Sequence, residues 1–176
     1  PGVPLQRPEL RNANRQGIPV TGDVAMFGSL ASAPLAAITG SNGKTTVTAL
    51  LGHLASGQLG GVKVGGNIGT PCLDLLDANS TLYIIELSSY QLELANSLRA
   101  QVAVVLNLAP DHQDRYESSG AYYATKANVY NGCRVALVNR DIDYPFTLAD
   151  DCALVTFGSD LPDRATDFGL LSEADD

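Results

Sequence analysis

Apolar residues in this chain fall in short unbroken runs: LAAIT at 35–39, TLYIIEL at 81–87, QVAVVLNL at 101–108, RVALVN at 134–139 and ALVTFG at 153–158. The runs are rich in β-branched and aliphatic residues and bounded by turn residues or charges, which predicts five strands. A strand with one wet face would alternate apolar and polar positions. Continuous runs predict strands covered on both faces, hence parallel ones. The stretches between them predict helices over 44–57, 71–78, about 90–97 and 119–131. Strand and helix in succession predict an α/β fold, a mostly parallel sheet covered by helices. Residues 1–33 carry one short expected strand, within GIPVTGD, and read as the tail of a preceding unit and a linker. The domain itself is expected over 34–176.

The joint between the first run and the first helix reads TGSNGKTT, residues 39–46. Glycines tolerate positive φ, so Gly40, Ser41, Asn42 and Gly43 can turn sharply with successive N–H groups directed into one concavity. The helix that follows presents its positive end there. Lys44 adds a mobile charge, and the hydroxyl of Thr45 can hold Mg²⁺. With Thr46 these residues make a triphosphate cradle, as in a P-loop mononucleotide-binding domain. The match is to the short G-x-x-G-K-T form, because Ala37 stands where the longer pattern has a further glycine. The bland alternative is a glycine-rich helix entry whose lysine faces solvent.

Lysine is scarce here, with Lys44, Lys63 and Lys126 against eight arginines, so it is not the surface filler. Lys126 lies in AYYATKANVY with Tyr122 and Tyr130 four residues to either side on one helical face. Such a lysine is either buried, which favours the neutral amine, or lays its stem on the rings and keeps its head in water. The spacing alone points to the second. Glu86 ends an otherwise apolar run before Ser88 and Ser89, and Asn107 ends another before APDHQDRY. Ligands in open α/β sheets sit outside the carboxyl ends of the strands, so Glu86, Asp111 and His112 are expected to face the crevice of Lys44. A carboxylate beside Thr45 is what a hydrated Mg²⁺ needs. A solvated strand-end glutamate and a turn-capping histidine are the alternatives, and His53 is read as surface or packing.

Composition narrows the partners. With 176 residues, 45% of them apolar, the chain is long enough for one good core. Nineteen acidic residues against eleven basic ones give a formal charge of −8, which leaves no cationic footprint for nucleic acid or an anionic membrane. No apolar run approaches the roughly 18 residues of a spanning helix, and PGVPLQRPEL has no signal-peptide pattern, so a cytoplasmic chain is expected, and a monomer is the separate expectation for its assembly. Cys72, Cys133 and Cys152 form no C-x-x-C pair and are expected as small core residues.

ITGSNGKTT, GGNIGTP, IIELSSYQLE, LNLAPDHQDRY and YYATKANVY follow one another in the order and approximate spacing of the Mur ligases, and the chain from about 34 to 158 resembles that family. The second and third stretches resemble its D-glutamate-adding members in particular. The resemblance implies an ATP-dependent amide ligase that joins D-glutamate to UDP-N-acetylmuramoyl-L-alanine through an acyl phosphate, in peptidoglycan precursor synthesis. It implies that Lys44 and the loop hold the ATP phosphates and that Thr45 and Glu86 bind one Mg²⁺. His112 and Lys126 would bind a second, the lysine as a carbamate formed with CO₂. Asn67, Ser88 and His112 would meet the muramoyl peptide, and Lys44, His112 and Lys126 would be the catalytic set. Thr45 stands where some members have serine, and Gln113 where methionine is common; neither change removes a ligand.

Members of the family have an N-terminal domain for the uridine nucleotide, an ATPase domain, and a C-terminal domain that brings D-glutamate. The resemblance implies that 1–33 ends the first, that 34–176 is a truncated second, and that the third is absent, so that the fragment alone is inactive as a ligase. Three rivals stand beside it. A folylpolyglutamate synthase-like ligase shares the loop and the lysine, and a nucleotide-binding module could have lost ligation. Retention of Glu86, His112 and Lys126 together argues against the latter, and an unrelated P-loop kinase or GTPase would not explain the later motifs.

Overall fold

The computed structural model describes residues 2–95, 98–111 and 115–170. Six strands, β1 (Leu35–Thr39), β2 (Val62–Gly66), β3 (Leu82–Glu86), β4 (Val102–Val105), β5 (Val135–Asn139) and β6 (Ala153–Phe157), form one sheet in the order β2-β3-β1-β4-β5-β6. Every pair is parallel, as the continuous apolar runs require. The helices are α1 (Pro8–Arg15), α2 (Asp23–Leu30), α3 (Lys44–Ser56), α4 (Ser89–Leu92) and α5 (Ser119–Ala127), with 3₁₀ turns at Cys72–Leu75 and Asn128–Tyr130.

Side-chain alternation along the strands divides the core. Leu35, Ala37, Tyr83, Ile85, Ala103, Val105 and Ala136 face one way, into a large cluster closed by Phe27 of α2, Leu92 of α4 and Tyr130. Ile38, Ile84 and Val104 face the other way, into a smaller cluster that Ala55 of α3 helps to cover. Pairing of Ile38 with Glu86 and of Thr39 with Val105 brings β1, β3 and β4 to a common carboxyl edge. The residues that follow them therefore meet above that edge.

The five strands expected from the apolar runs are present, and β2 is a further strand that the apolar pattern does not announce. The expected strand within GIPVTGD is absent from the described structure. Gly17 stops α1 with φ +71, Pro19 has no N–H to give a ladder, and Asp23 already begins α2. The helix expected over 71–78 is a single 3₁₀ turn, because Asp77 accepts the N–H groups of Asn79 and Ser80 and closes a turn there. Within the helix expected at about 90–97, whose last two positions lie outside the described residues, the structure forms the short α4, held by a capping box between Ser88 and Gln91. No described helix is long and apolar enough to cross a membrane.

Candidate active site

The loop from Gly40 to Gly43 leaves β1 and enters α3 through Gly43, whose φ of +74 is a left-handed value that favours glycine. Its N–H groups do not all face one concavity. Ser41 donates its N–H to the carbonyl of Asn107 at 3.0 Å, and Asn42 donates its own to Oδ1 of Asn107 at 2.8 Å. The Ser41 and Asn42 amides expected in that concavity are therefore taken by Asn107, and those left without an acceptor within the helix run from Gly43 into the first turn of α3. Lys44 folds back over the loop and donates to the carbonyl of Ser41 at 3.0 Å. Thr46 is exposed in the same first turn.

Ser41 also ties the loop to the segment after β4. Its hydroxyl donates to the carbonyl of Ala109 at 3.1 Å, accepts the N–H of Ala109 at 2.9 Å, and lies 3.3 Å from the hydroxyl of Tyr122.

Glu86 is 1% exposed, so it is not a solvated strand end. Thr45 Oγ1 donates to its Oε2 at 2.8 Å and Asn67 Nδ2 to its Oε1 at 2.8 Å. Asn67 is held in turn by its backbone N–H, which donates to the carbonyl of Glu86 at 2.8 Å. The turn that delivers it depends on Gly66, with φ +108, where a Cβ would collide with that carbonyl. The hydroxyl of Thr45 and the free lone pairs of the Glu86 carboxylate are hard oxygen donors. They fit Mg²⁺, which takes few protein ligands and completes its octahedron with phosphate and water. Among the described residues no cluster of three histidine, cysteine or acidic side chains is poised to hold a metal without such a substrate.

Lys126 overturns the reading that its spacing favoured. It is 1% exposed, with Nζ donating to the carbonyl of Gly40 at 2.8 Å and to Thr39 Oγ1 at 3.5 Å. Its head lies 4.8 Å from the centre of the Tyr122 ring. Burial first, and the charge of Lys44 second, lower its pKa to about 7. Tyr130, by contrast, serves the sheet: its hydroxyl accepts the N–H of Val105 and donates to the carbonyl of Leu137, each at 3.0 Å.

Lys44, Asn67, Ser88, Tyr122 and Lys126 line one cleft of about 220 Å³ with Ser89 and Tyr90. The fold thus collects Lys44, Glu86, Asn67, Ser88 and Lys126 from four separate stretches at one edge. Ser88 also caps α4, accepting the N–H of Gln91 at 3.3 Å. His112 lies outside the described residues. Asn107 and Tyr122, which bind the loop directly, are site residues that the sequence reading did not assign. Asn107 carries the same signal as Glu86, a lone polar residue at the end of an apolar strand. The three cysteines are free and sit among apolar residues, with Cys133 Sγ 3.4 Å from Cys152 Sγ.

The profile of the Mur ligase middle domain matches residues 38–167. A UDP-N-acetylmuramoylalanine–D-glutamate ligase from Marinobacter nauticus is 49% identical over 141 residues, covering 80% of this chain and 32% of the relative. The enzyme of that name from Pseudomonas savastanoi pv. phaseolicola is 45% identical over 175 residues, covering 98% of this chain and 39% of its own. This chain therefore spans well under half the length of the relatives it matches. Among solved structures, a UDP-N-acetylmuramoyl-L-alanyl-D-glutamate–2,6-diaminopimelate ligase superimposes with a TM-score of 0.60 at 22% identity, covering 90% of this chain and 36% of that one. MurF ligase from Thermotoga maritima in complex with ADP gives 0.56 at 20%, covering 80% and 38%. FolC from E. coli in complex with DHPP and ADP gives 0.58 at 20%, covering 81% and 49%. These likenesses establish the shared fold.

Proposed function

We propose that this chain, which belongs to the Mur ligase family, carries the ATP-handling part of a ligase that joins D-glutamate to UDP-N-acetylmuramoyl-L-alanine. The observation that carries the reading is the meeting of Lys44 and the buried Lys126 in one cleft, which Asn67 also lines while holding the Thr45–Glu86 pair beside it. In this reading residues 1–33 end a uridine-nucleotide domain and 34–176 are a middle domain. The D-glutamate domain belongs to the part of the relatives' length that this chain does not span.

The reaction needs charge control more than covalent chemistry. The alanine carboxylate attacks the γ-phosphorus of ATP, ADP leaves, and the acyl phosphate that forms is attacked by the D-glutamate amine, which expels phosphate and loses a proton. The amides at the start of α3 and the Lys44 ammonium face the phosphate charge. Glu86 and Thr45 are the hard oxygen donors for Mg²⁺, which when bound neutralises charge on the transferring phosphoryl group. Asn67 fixes the Glu86 carboxylate, and with Ser88 it lines the cleft, where the two would meet the muramoyl substrate.

Lys126 takes its role from burial. A lysine with a pKa near 7 offers a free amine at neutral pH, and an amine lone pair adds to CO₂ with loss of one proton to give a carbamate. That group would bring carboxylate oxygens to a second Mg²⁺, shared with His112. A neutral amine alone makes a poor partner for magnesium, which prefers oxygen.

The test is product analysis of the ligase with ATP, UDP-N-acetylmuramoyl-L-alanine and each candidate amino acid in turn. Formation of ADP, phosphate and the amide with D-glutamate alone supports the reading. Turnover with a folate acceptor in place of the muramoyl peptide, or no ATP-dependent amide at all, sinks it.

A further inference from the structure

We propose that Asn107 is the positioning residue of the phosphate loop: its carboxamide clasps both backbone polar groups of Asn42 and presets the loop for the anion. The proposal rests on the reading of Gly40–Thr46 as a triphosphate cradle. Asn107 Oδ1 accepts the Asn42 N–H at 2.8 Å, its Nδ2 donates to the Asn42 carbonyl at 3.0 Å, and its own carbonyl accepts the Ser41 N–H at 3.0 Å. Asn107 is anchored from behind, because the preceding carbonyl, that of Leu106, accepts Asn139 Nδ2 at 2.9 Å and the Leu106 N–H donates to Thr39 at 2.9 Å.

The consequence follows from peptide geometry. Among the described residues no peptide bond is cis, so within each plane of the loop the N–H and the C=O point in opposite directions. Pulling the Asn42 carbonyl toward Asn107 turns the Gly43 N–H away from β4, toward the start of α3 where an anion would lie. Pulling the Asn42 N–H toward Asn107 turns the Ser41 carbonyl away as well, and that carbonyl receives Lys44 Nζ at 3.0 Å. One carboxamide therefore orients an anion-binding amide and parks the phosphate-binding lysine. Asparagine suits the task because it supplies a donor and an acceptor side by side; aspartate supplies two acceptors, and leucine of similar volume supplies neither.

The experiment uses the full chain with Mg²⁺ and two probes, ATP and inorganic tripolyphosphate, with calorimetric affinities and melting temperatures for wild type, Asn107→Asp and Asn107→Leu. Asn107→Leu, which loses two hydrogen bonds to the backbone, is expected to bind both probes at least about tenfold more weakly at about pH 8, and Asn107→Asp, which loses one, about fivefold more weakly. Asn107→Asp is further expected to recover toward wild type, compared at the same pH, as pH falls to about 4, where an aspartate begins to protonate and regains a donor for the Asn42 carbonyl. Asn107→Leu should show no such recovery. Unchanged affinities in both folded variants overturn the proposal. So does a loss that tracks a lowered melting temperature and is blind to pH in Asn107→Asp, which is the pattern of a merely structural role. Failure of the wild-type chain to bind either probe overturns the cradle itself, and the clasp with it.

Discussion

Thr45 and Glu86, 41 positions apart, are joined by a 2.8 Å hydrogen bond that ties the first turn of α3 to the carboxyl end of β3. The hydroxyl approaches one carboxylate oxygen while Asn67 holds the other, so the carboxylate is fixed in orientation before any metal arrives. Glu86→Gln and Thr45→Val should therefore fold and should lose the gain in nucleotide affinity that Mg²⁺ confers, by about tenfold or more, while metal-free binding stays within about twofold. Calorimetric titrations with and without Mg²⁺ read this directly. Equal metal dependence in wild type and variants would remove the pair from the metal site.

Lys44 faces the cleft and contributes a single hydrogen bond to its own loop, so its loss should weaken phosphate binding and not the fold. Lys44→Ala in the active ligase is expected to lower turnover by about two decades, on the order of 3 kcal/mol of transition-state stabilisation, with a melting temperature close to wild type. Near-wild-type turnover by the folded variant would show that this lysine serves no phosphate.

Burial of Lys126 makes stability depend on pH. Its folded pKa of about 7 lies below the ordinary 10.5, so between those values the unfolded chain binds more protons and stability rises with pH. Below about 7 both states are protonated and the full cost of burying the ammonium stands, on the order of 3–5 kcal/mol. Lys126→Met in CO₂-free buffer should thus stabilise the chain most at about pH 6 and least at about pH 10. Melting curves across that range check the sign, and a pH-independent difference would place the ammonium in water. With labelled bicarbonate, wild type above neutral pH should show a carbamate carbon signal in NMR that Lys126→Met lacks.

Gly66→Ala should destabilise the chain by about 3 kcal/mol, because alanine at φ +108 is strained and its Cβ meets the Glu86 carbonyl. The damage should reach the site as well, since Asn67 follows directly. Chemical denaturation measures the first effect, and Mg²⁺-dependent nucleotide affinity the second. A variant as stable as wild type would mean that this turn is free to relax.

Five strands, their parallel order and the glycine turn into α3 were legible in the sequence because each is a local property: unbroken aliphatic runs can be buried only on both faces, and Gly43 before Lys44 and Thr45 marks a turn into a helix start. β2 was not legible. Its residues VKVGG lack a strand's composition, since Gly65 and Gly66 lie so close to the carbonyls of Thr70 and Glu86 that a Cβ at either would clash. It becomes a strand by pairing with β3, from Val62 opposite Leu82 to Gly66 opposite Glu86. GIPVTGD failed in the opposite direction: its apolar residues were visible, and the sheet offers them no neighbour.

Glu86 and Lys126 mark the same division within the site. That they are polar residues set among apolar ones is written in the sequence. Whether each is solvated or buried is not, because the atoms that decide it lie far along the chain: Thr45 for the glutamate, and for the lysine the carbonyl of Gly40, 86 positions away. The sequence by itself determined which chemistry is present and on which elements it rides. Only the tertiary structure decided that α5 brings Lys126 to the Gly40–Gly43 loop and that Asn107 takes the loop's first amides, since a side chain's solvation and its hydrogen-bond partners are set by whatever the fold packs against it.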